Sequence, residues 1–300
     1  MLKMRVITGF TVVLIVAGIL FLLPAWSHLF LLFAVFAIAQ LEFSGMVQRK
    51  GHHYELTSTT LCGVAYLLFL AAESPVFKSC SHSFAPILRE LDLSTIILCI
   101  APAILLVRGV FRRKVASAME TFALSYAGFW YVAVLLGFMM RIAYEWETVP
   151  GATNYTGRLA LLLFVAIVKA GDIGAYFIGT RFGRRRLIPE ISPKKSVEGL
   201  WGGYLFGLVA SLLVWLLAHV FDEGALGEMH YPLVHAILLP FILVSAGSLG
   251  DLAESLIKRS VDVKDSGGRF PGMGGILDIL DSLLFAAPVA YVYFVAFLKN

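Results

Sequence analysis

Charged residues are scarce in this 300-residue chain. Asp, Glu, Lys and Arg make up 15% of the sequence and hydrophobic residues 59%, whereas an average soluble domain is about one quarter charged. The composition therefore excludes a soluble globular domain and predicts an integral membrane protein.

Cysteine is scarce as well. The three cysteines, Cys62, Cys80 and Cys99, show no paired spacing, so neither a disulfide framework nor a zinc site is indicated.

The alternation of apolar and polar residues that marks a membrane β-barrel is also missing. The sequence instead contains apolar segments of about 20 residues, the length that a helix needs to cross a bilayer. We therefore expect an all-α, polytopic integral membrane protein with about nine transmembrane helices. The segments are residues 5–24, 29–47, 57–74, 92–111, 120–141, 157–180, 200–221, 234–257 and 274–298. The first is expected to be an uncleaved helix, because no A-x-A-like cleavage site follows it.

Basic residues are unevenly distributed among the segments that connect these helices. If the N-terminus is cytosolic, 18 Lys and Arg residues fall in cytosolic segments and five in outer segments. Cytoplasmic loops of membrane proteins accumulate Lys and Arg. We therefore expect a multi-pass protein of the inner cell membrane with these basic segments in the cytoplasm. For most of them a solvated surface is a sufficient explanation, and attraction to anionic lipid is a secondary one.

The stretch 250–282 combines acidic and basic residues between two apolar segments. Charges at the edge of a bilayer are costly unless they are paired, solvated or used, so this stretch is a candidate functional site. Asp251 and Glu254 lie three residues apart, as do Asp278 and Asp281, and residues with that spacing share one face of a helix. Carboxylates on facing helices can form a divalent-cation site.

Polar residues also interrupt the apolar segment 157–180. Lys169 and Asp172 are three residues apart, and the alternative to a functional role is a buried ion pair at a close helix contact. The loop that follows is rich in Arg, Lys, Ser and Gly, and such a loop can surround polyphosphate with cations and backbone N–H groups. It is not a P-loop, because the chain lacks G-x-x-x-x-G-K-[ST].

The first five apolar segments indicate membrane anchoring and helix packing, and Glu42 in the second segment is the exception. Its side chain either snorkels to the membrane surface, forms an ion pair or lines a site.

Eleven positions between Ser255 and Asp281 resemble the signature of the phosphatidate cytidylyltransferases, also called CDP-diacylglycerol synthases. They are Ser255, Lys258, Arg259, Lys264, Asp265, Pro271, Gly272, Gly274, Gly275, Asp278 and Asp281. At two positions the chain differs from that family, which usually has His at the position of Met273 and Arg at that of Ile279.

Two further strings resemble the same family. They are D-x-x-x-Y-x-x-G, beginning at Asp172, and S-P-K-K-S-x-E-G, beginning at Ser192. The resemblance therefore covers about residues 165–300. We expect residues 1–156 to be membrane-anchoring helices and residues 157–300 to be a catalytic membrane region.

The resemblance implies an enzyme that transfers a cytidylyl group from CTP to phosphatidic acid and forms CDP-diacylglycerol and pyrophosphate. It implies Mg²⁺ as cofactor, with Asp251, Asp278 and Asp281 as ligands, and leaves a second metal or a monovalent ion open. The implied catalytic residues are Asp251, Lys258, Arg259, Lys264, Asp265, Asp278 and Asp281. The implied substrate-binding residues are Lys169, Asp172, Tyr176, Ser192, Lys194, Lys195, Ser196, Glu198, Gly272, Gly274 and Gly275. The implied partners are CTP, phosphatidic acid and the bilayer, with the active site facing the cytoplasm; no nucleic acid is expected, and a homodimer is left open.

Three alternatives remain at this point. A CTP-dependent enzyme acting on another lipid or lipid phosphate would need similar chemistry. A non-catalytic membrane relative of the family is suggested by Met273 and Ile279. A transporter is less favoured, because transporters place ionisable groups near the bilayer midplane within repeated halves, and the sequence shows no internal repeat.

Overall fold

The computed structural model describes residues 18, 22–23, 25–74, 92–112, 115–144, 146, 156–221, 229–269 and 274–299. Within these ranges eight helices are long and apolar enough to cross a membrane. They correspond to the second to ninth predicted segments and confirm the all-α, polytopic class. The first predicted segment, residues 5–24, falls almost entirely outside the described residues.

Several of the described helices extend one to four residues beyond the predicted apolar segments. In chain order they are α1 (Ala25–Arg49), α2 (Leu56–Glu73), α3 (Leu93–Arg112), α4 (Ala118–Gly128), α5 (Leu135–Tyr144), α6 (Thr156–Phe182), α7 (Val197–Phe221), α8 (Leu233–Ser260) and α9 (Ile276–Tyr293). A short 3₁₀ turn, Val115–Ser117, precedes α4, and a π-helical turn, Phe129–Val134, joins α4 to α5. A second π-helical turn, Phe294–Leu298, follows α9.

The loop between α6 and α7 contains the only strands that the described part of the chain forms. Strand β1 (Arg186–Ile188) pairs antiparallel with β2 (Ser192–Ser196). The sequence of β2, SPKKS, has no apolar alternation, which is the usual signal for a strand. The hairpin was therefore not predicted, and it turns a basic loop into a defined structure.

The chain divides into two compact units. Unit 1 comprises Met1–Arg141 and Ser260–Ile279, and unit 2 comprises Ile142–Arg259 and Leu280–Asn300. The units are interleaved along the sequence, so that the signature loop (Ser266–Arg269 together with Gly274–Asp278) belongs with the N-terminal helices. The predicted boundary after residue 156 separates membrane-anchoring helices from a catalytic region. That division stays a prediction.

Unit 1 combines apolar packing with buried polar contacts. The side-chain amide of Gln40 donates to the Tyr54 hydroxyl at 2.6 Å, and the backbone N–H of Glu55 donates to Ser125 Oγ at 2.9 Å. Arg112 Nε lies 2.7 Å from Oε1 of Glu55, whose side chain is buried. Because lipid offers no hydrogen-bond partners, these contacts fix α1, α3 and α4 around the start of α2.

Unit 2 depends on close helix contacts at small residues. A Cβ at Gly174 would lie 2.5 Å from the carbonyl oxygen of Gly202, so α6 and α7 approach each other at backbone distance. A Cβ at Gly250 would lie 2.5 Å from the carbonyl oxygen of Asp281. Small residues permit such approaches between membrane helices. The second contact brings the segment of α8 around Asp251 next to the segment of α9 around Asp281.

Candidate active site

Two sequence motifs meet in unit 2 at Lys195 and Asp251. Lys195 lies on β2, and its ammonium Nζ is 2.8 Å from Asp251 Oδ2 on α8. The same ammonium donates to the carbonyl oxygen of Ser248 at 3.2 Å. The Lys195 side chain is 22% exposed and that of Asp251 36%, so the pair is partly desolvated and still reachable from solvent.

A second lysine of the same unit lies on α6. Lys169 Nζ on α6 donates to Asp172 Oδ2 at 2.9 Å and to Ser282 Oγ at 2.8 Å. Ser282, on α9, donates in turn to Asp172 Oδ2 at 2.8 Å. The serine hydroxyl is therefore both acceptor and donor in a closed triangle of hydrogen bonds, and it is completely buried. The ion pair between Lys169 and Asp172, which was the alternative to a functional role, is therefore present, and Ser282 joins both of its members.

Asp281 completes this group of charges. Its side chain is buried, its Oδ1 accepts a 2.6 Å hydrogen bond from the backbone N–H of Ser282, and its carboxylate interacts electrostatically with Lys169, Asp172 and Asp251. We call Lys169, Asp172, Lys195, Asp251 and Asp281 the lysine–carboxylate cluster. It joins residues of α6, β2, α8 and α9, and all five were predicted site residues.

Two other predicted substrate-binding residues hold the ends of the basic hairpin. The Glu198 carboxylate accepts hydrogen bonds from the backbone N–H groups of Arg184 at 3.0 Å and Arg185 at 3.1 Å. Ser196 Oγ accepts from the backbone N–H of Gly199 at 3.1 Å, which is the contact of a helix N-cap. Both side chains hold the backbone at the ends of the hairpin in place. Their contact with substrate stays a prediction.

The remaining predicted residues of unit 2 line its surface or the end of α8. Lys194 and Tyr176 are exposed and Ser192 is half-buried. Lys258 forms an ion pair with Glu254, one turn earlier on α8, and Glu254 is completely buried. Arg259 is exposed. Exposed cations at the end of a helix and on a hairpin suit an anionic ligand arriving from solvent.

In unit 1, Asp278 organises the signature loop. Its Oδ2 accepts hydrogen bonds from the backbone N–H of Gly275 at 2.7 Å, from the backbone N–H of Ser266 at 2.9 Å and from Ser266 Oγ at 2.8 Å. Asp278 is the third residue of α9, and a carboxylate there reaches back to the residue before the helix in a capping box. One oxygen of this predicted metal ligand is thus committed to the loop.

The other signature residues of unit 1 are accessible or conformationally special. Lys264 and Asp265 are exposed. Gly274 has a φ of +90°, a left-handed conformation that glycine adopts readily. Gly275 is buried directly before α9. Gly272 lies outside the described residues, as does Met273.

The predicted magnesium ligands are distributed over both units. Asp251 and Asp281 belong to unit 2 and Asp278 to unit 1. Among the described residues there is no group of three or more His, Cys, Asp or Glu side chains placed to hold a metal ion. The magnesium site therefore stays a prediction.

Sequence reasoning missed two serines that contact the predicted carboxylates. Ser266 donates to Asp278, and Ser282 bridges Lys169 and Asp172. Each is a polar residue next to a signature aspartate or glycine, which is the signal that was available. Their partners could not be inferred, since Ser282 and Lys169 are 113 residues apart in sequence.

Comparison with known proteins agrees with the resemblance of the motifs. Residues 3–297 match the cytidylyltransferase family. A phosphatidate cytidylyltransferase of Haemophilus influenzae is 31% identical over 98% of this chain and 99% of its own length. One of Chlamydia pneumoniae is 28% identical over 94% of this chain and 86% of its own length. One of Bacillus subtilis is 44% identical over a shorter alignment, which covers 42% of this chain and 43% of that protein. The chain therefore belongs to the cytidylyltransferase family.

Proposed function

We propose that this protein transfers a cytidylyl group from CTP to phosphatidic acid and releases CDP-diacylglycerol and pyrophosphate. The observation that carries the proposal is the contact between Lys195 and Asp251. It joins the S-P-K-K-S-x-E-G string to the turn of α8 that precedes the signature, in a chain that aligns over almost its full length with a phosphatidate cytidylyltransferase. Membership of the family supplies the reaction type, and the lysine–carboxylate cluster supplies groups suited to it.

The proposed reaction is a displacement at phosphorus. A phosphate oxygen of phosphatidic acid attacks the α-phosphorus of CTP, a new P–O bond forms, and the bond to the β-phosphate oxygen breaks with its electron pair leaving on pyrophosphate. The second pKa of a phosphate monoester is about 6, so the attacking oxygen is largely deprotonated at pH 7 and needs no general base. The protein must chiefly reduce repulsion between anions and stabilise the charge of the leaving group.

The basic side chains of unit 2 suit these tasks. Lys194 on the hairpin and Arg259 at the end of α8 are exposed, so they would attract the triphosphate. Lys195 and Lys169 lie inside the cluster, where a partly desolvated ammonium interacts more strongly with phosphate than it would in water. The hydrogen bonds of Ser282 and Ser248 orient these two ammonium groups before substrate arrives.

The chemistry of the Asp251 and Asp281 side chains suits Mg²⁺. Both side chains offer hard carboxylate oxygens, the ligands that Mg²⁺ prefers, and the cluster has three carboxylates against two ammonium groups. Asp278 fits less well, because its Oδ2 already accepts three hydrogen bonds from the signature loop. We propose Asp251 and Asp281 as the residues that hold Mg²⁺. When bound, the ion would neutralise phosphate charge and polarise the P–O bond.

We also propose that the cluster opens to the cytoplasm of a bacterial cell, with the protein in the inner membrane. The support is the distribution of basic residues, 18 against five, in the predicted topology. A single Cys introduced in the hairpin loop should react with an impermeant thiol reagent only in inverted vesicles. Labelling in intact cells would reverse the orientation. The proposed substrates are a nucleotide and a lipid, with no nucleic acid, and a homodimer is left open.

Purified protein in detergent, incubated with labelled CTP, phosphatidic acid and Mg²⁺, tests the activity directly. Formation of labelled CDP-diacylglycerol with release of pyrophosphate is the expected result. Diacylglycerol and other lipid phosphates serve as parallel acceptors, and a preference for one of them would replace phosphatidic acid in the proposal. Absence of product with every acceptor would favour the non-catalytic relative.

A further inference from the structure

We propose that Glu42, on the N-terminal helix α1, is a positioning residue for the signature loop. We define the signature loop as Ser266–Arg269 together with Gly274–Asp278. The inference rests on the proposed function in one respect only, namely that the loop binds substrate. It extends the working part of the molecule into helices whose expected role was to anchor the chain in the membrane.

The Glu42 carboxylate contacts the signature loop with both oxygens. Oε1 accepts a 3.1 Å hydrogen bond from the guanidinium Nη1 of Arg269. Oε2 accepts from the backbone N–H of Leu277 at 3.1 Å and lies 3.2 Å from Ser266 Oγ. Leu277 is the second residue of α9, where backbone N–H groups lack partners within the helix. A single buried side chain thus joins the loop to the first turn of α9.

The loop backbone also lies directly against this carboxylate. A Cβ at Gly267 would come 2.6 Å from Glu42 Oε1, and one at Gly275 would meet Oε2 as well. Both positions therefore need glycine for the loop to reach Glu42. Since Glu42 is 224 residues from Ser266 in sequence, it fixes the loop relative to α1, which Asp278, a member of the loop itself, does not do.

Arg269 shows what this positioning would achieve. Its side chain is 50% exposed while the Glu42 side chain is 1% exposed, so the guanidinium reaches from a buried anchor towards solvent. An arginine has five N–H donors, and the contact with Oε1 engages one nitrogen. The geometry suits presentation of the other donors to an anionic phosphate.

Glu55→Gln is the matched control for Glu42→Gln. Glu55 is also a buried carboxylate of unit 1 that is paired with an arginine, Arg112 of α3, at 2.7 Å. Its backbone N–H donates to Ser125 of α4, and neither partner belongs to the signature loop. Both changes remove one buried charge and weaken one ion pair. Any difference between the two variants therefore reports on the signature loop and not on the general loss of a buried ion pair.

The first measurement is hydrogen exchange, followed by mass spectrometry, on the purified full-length protein. In Glu42→Gln the amides of the signature loop, above all Leu277, should exchange at least about tenfold faster than in the wild type, because local opening becomes easier. In Glu55→Gln they should exchange at the wild-type rate. Equal exchange of these amides in the two variants would overturn the proposal. The measurement needs no activity, so it decides the role of Glu42 even if the proposed reaction is wrong.

The second measurement is CDP-diacylglycerol synthesis. Glu42→Gln should lower kcat/KM by at least about tenfold, and Glu55→Gln by less than about threefold. Glu42→Asp, which keeps the charge but shortens the reach, should fall between Glu42→Gln and the wild type. If Glu42→Gln does not fold, Glu42→Asp and Arg269→Gln take its place in both measurements. Faster loop exchange with unchanged synthesis would show that Glu42 orders the loop without serving the reaction and would also reject the proposal.

Discussion

Replacing Ser282 by Ala tests whether the lysine–carboxylate cluster serves the reaction. The change removes two hydrogen bonds, one from Lys169 Nζ and one to Asp172 Oδ2, each 2.8 Å long. The direct contact of Lys169 with Asp172 at 2.9 Å remains, so the ion pair is loosened and not broken. A hydrogen bond to a charged group contributes about 1.5–3 kcal/mol. If one such contribution is lost from the transition state, kcat/KM should fall about 10- to 150-fold.

The assay compares Ser282→Ala with Ser211→Ala in steady-state synthesis of CDP-diacylglycerol. Ser211 is equally buried in unit 2 and also makes two hydrogen bonds, with the Tyr231 hydroxyl at 2.5 Å and the carbonyl oxygen of Ala236 at 2.7 Å. Both variants should lose similar thermal stability, whereas Ser211→Ala should keep kcat/KM within about twofold. Equal kcat/KM for the two variants would refute the assignment of Lys169 and Asp172 to the active site.

Four further predictions concern substrate and metal. Lys195→Ala should raise the KM for CTP about tenfold or more, and Lys194→Ala should raise it less, because only Lys195 contacts the cluster; an equal rise would contradict this ranking. If the Asp278 side chain caps the loop, Asp278→Asn should retain more activity than Asp278→Ala, and the Mg²⁺ concentration that the enzyme requires should not change. A raised Mg²⁺ requirement would instead indicate that Asp278 is a metal ligand. Chelation of divalent cations should abolish synthesis and restoration of Mg²⁺ should recover it, and activity in chelator would remove the metal from the proposal. Met273→His should change kcat by less than about tenfold, because the attacking phosphate needs no base; a wild type that is inert until this change is made would contradict that reasoning.

Much of the membrane architecture could be predicted from the sequence. Apolar segments of about 20 residues leave a chain little choice but a helix, and the eight described spans follow the predicted ones. Two local backbone conformations were not predicted, a strand and a π-helical turn. The strand Ser192–Ser196 carries no strand pattern, and the π-helical turn Phe129–Val134 has no signal in an apolar sequence.

The charged residues of the candidate site could be predicted from the sequence, but the contacts between them could not. A lysine or aspartate in an apolar helix stands out because burying it is costly, which identified Lys169, Asp172 and Asp281. A serine in the same setting is inexpensive and gives no such signal, so Ser282 was overlooked. The metal-binding role of Asp278 was predicted from the family resemblance and from the spacing of carboxylates, and neither distinguishes a metal ligand from a side chain that caps a helix.

The pairing of each lysine in the cluster bears on how the site would receive a nucleotide. Lys169 is paired with Asp172, and Lys195 is paired with Asp251. A negative charge about 4 Å from an unpaired carboxylate is repelled by about 4 kcal/mol at an effective dielectric constant near 20. If Lys195 turned from Asp251 to a phosphate, a second cation beside Asp251 would offset that repulsion. We therefore infer that the carboxylates are not spectators to the lysines: they hold the ammonium groups in position before CTP arrives, and they make binding of the nucleotide depend on the cation that arrives with it.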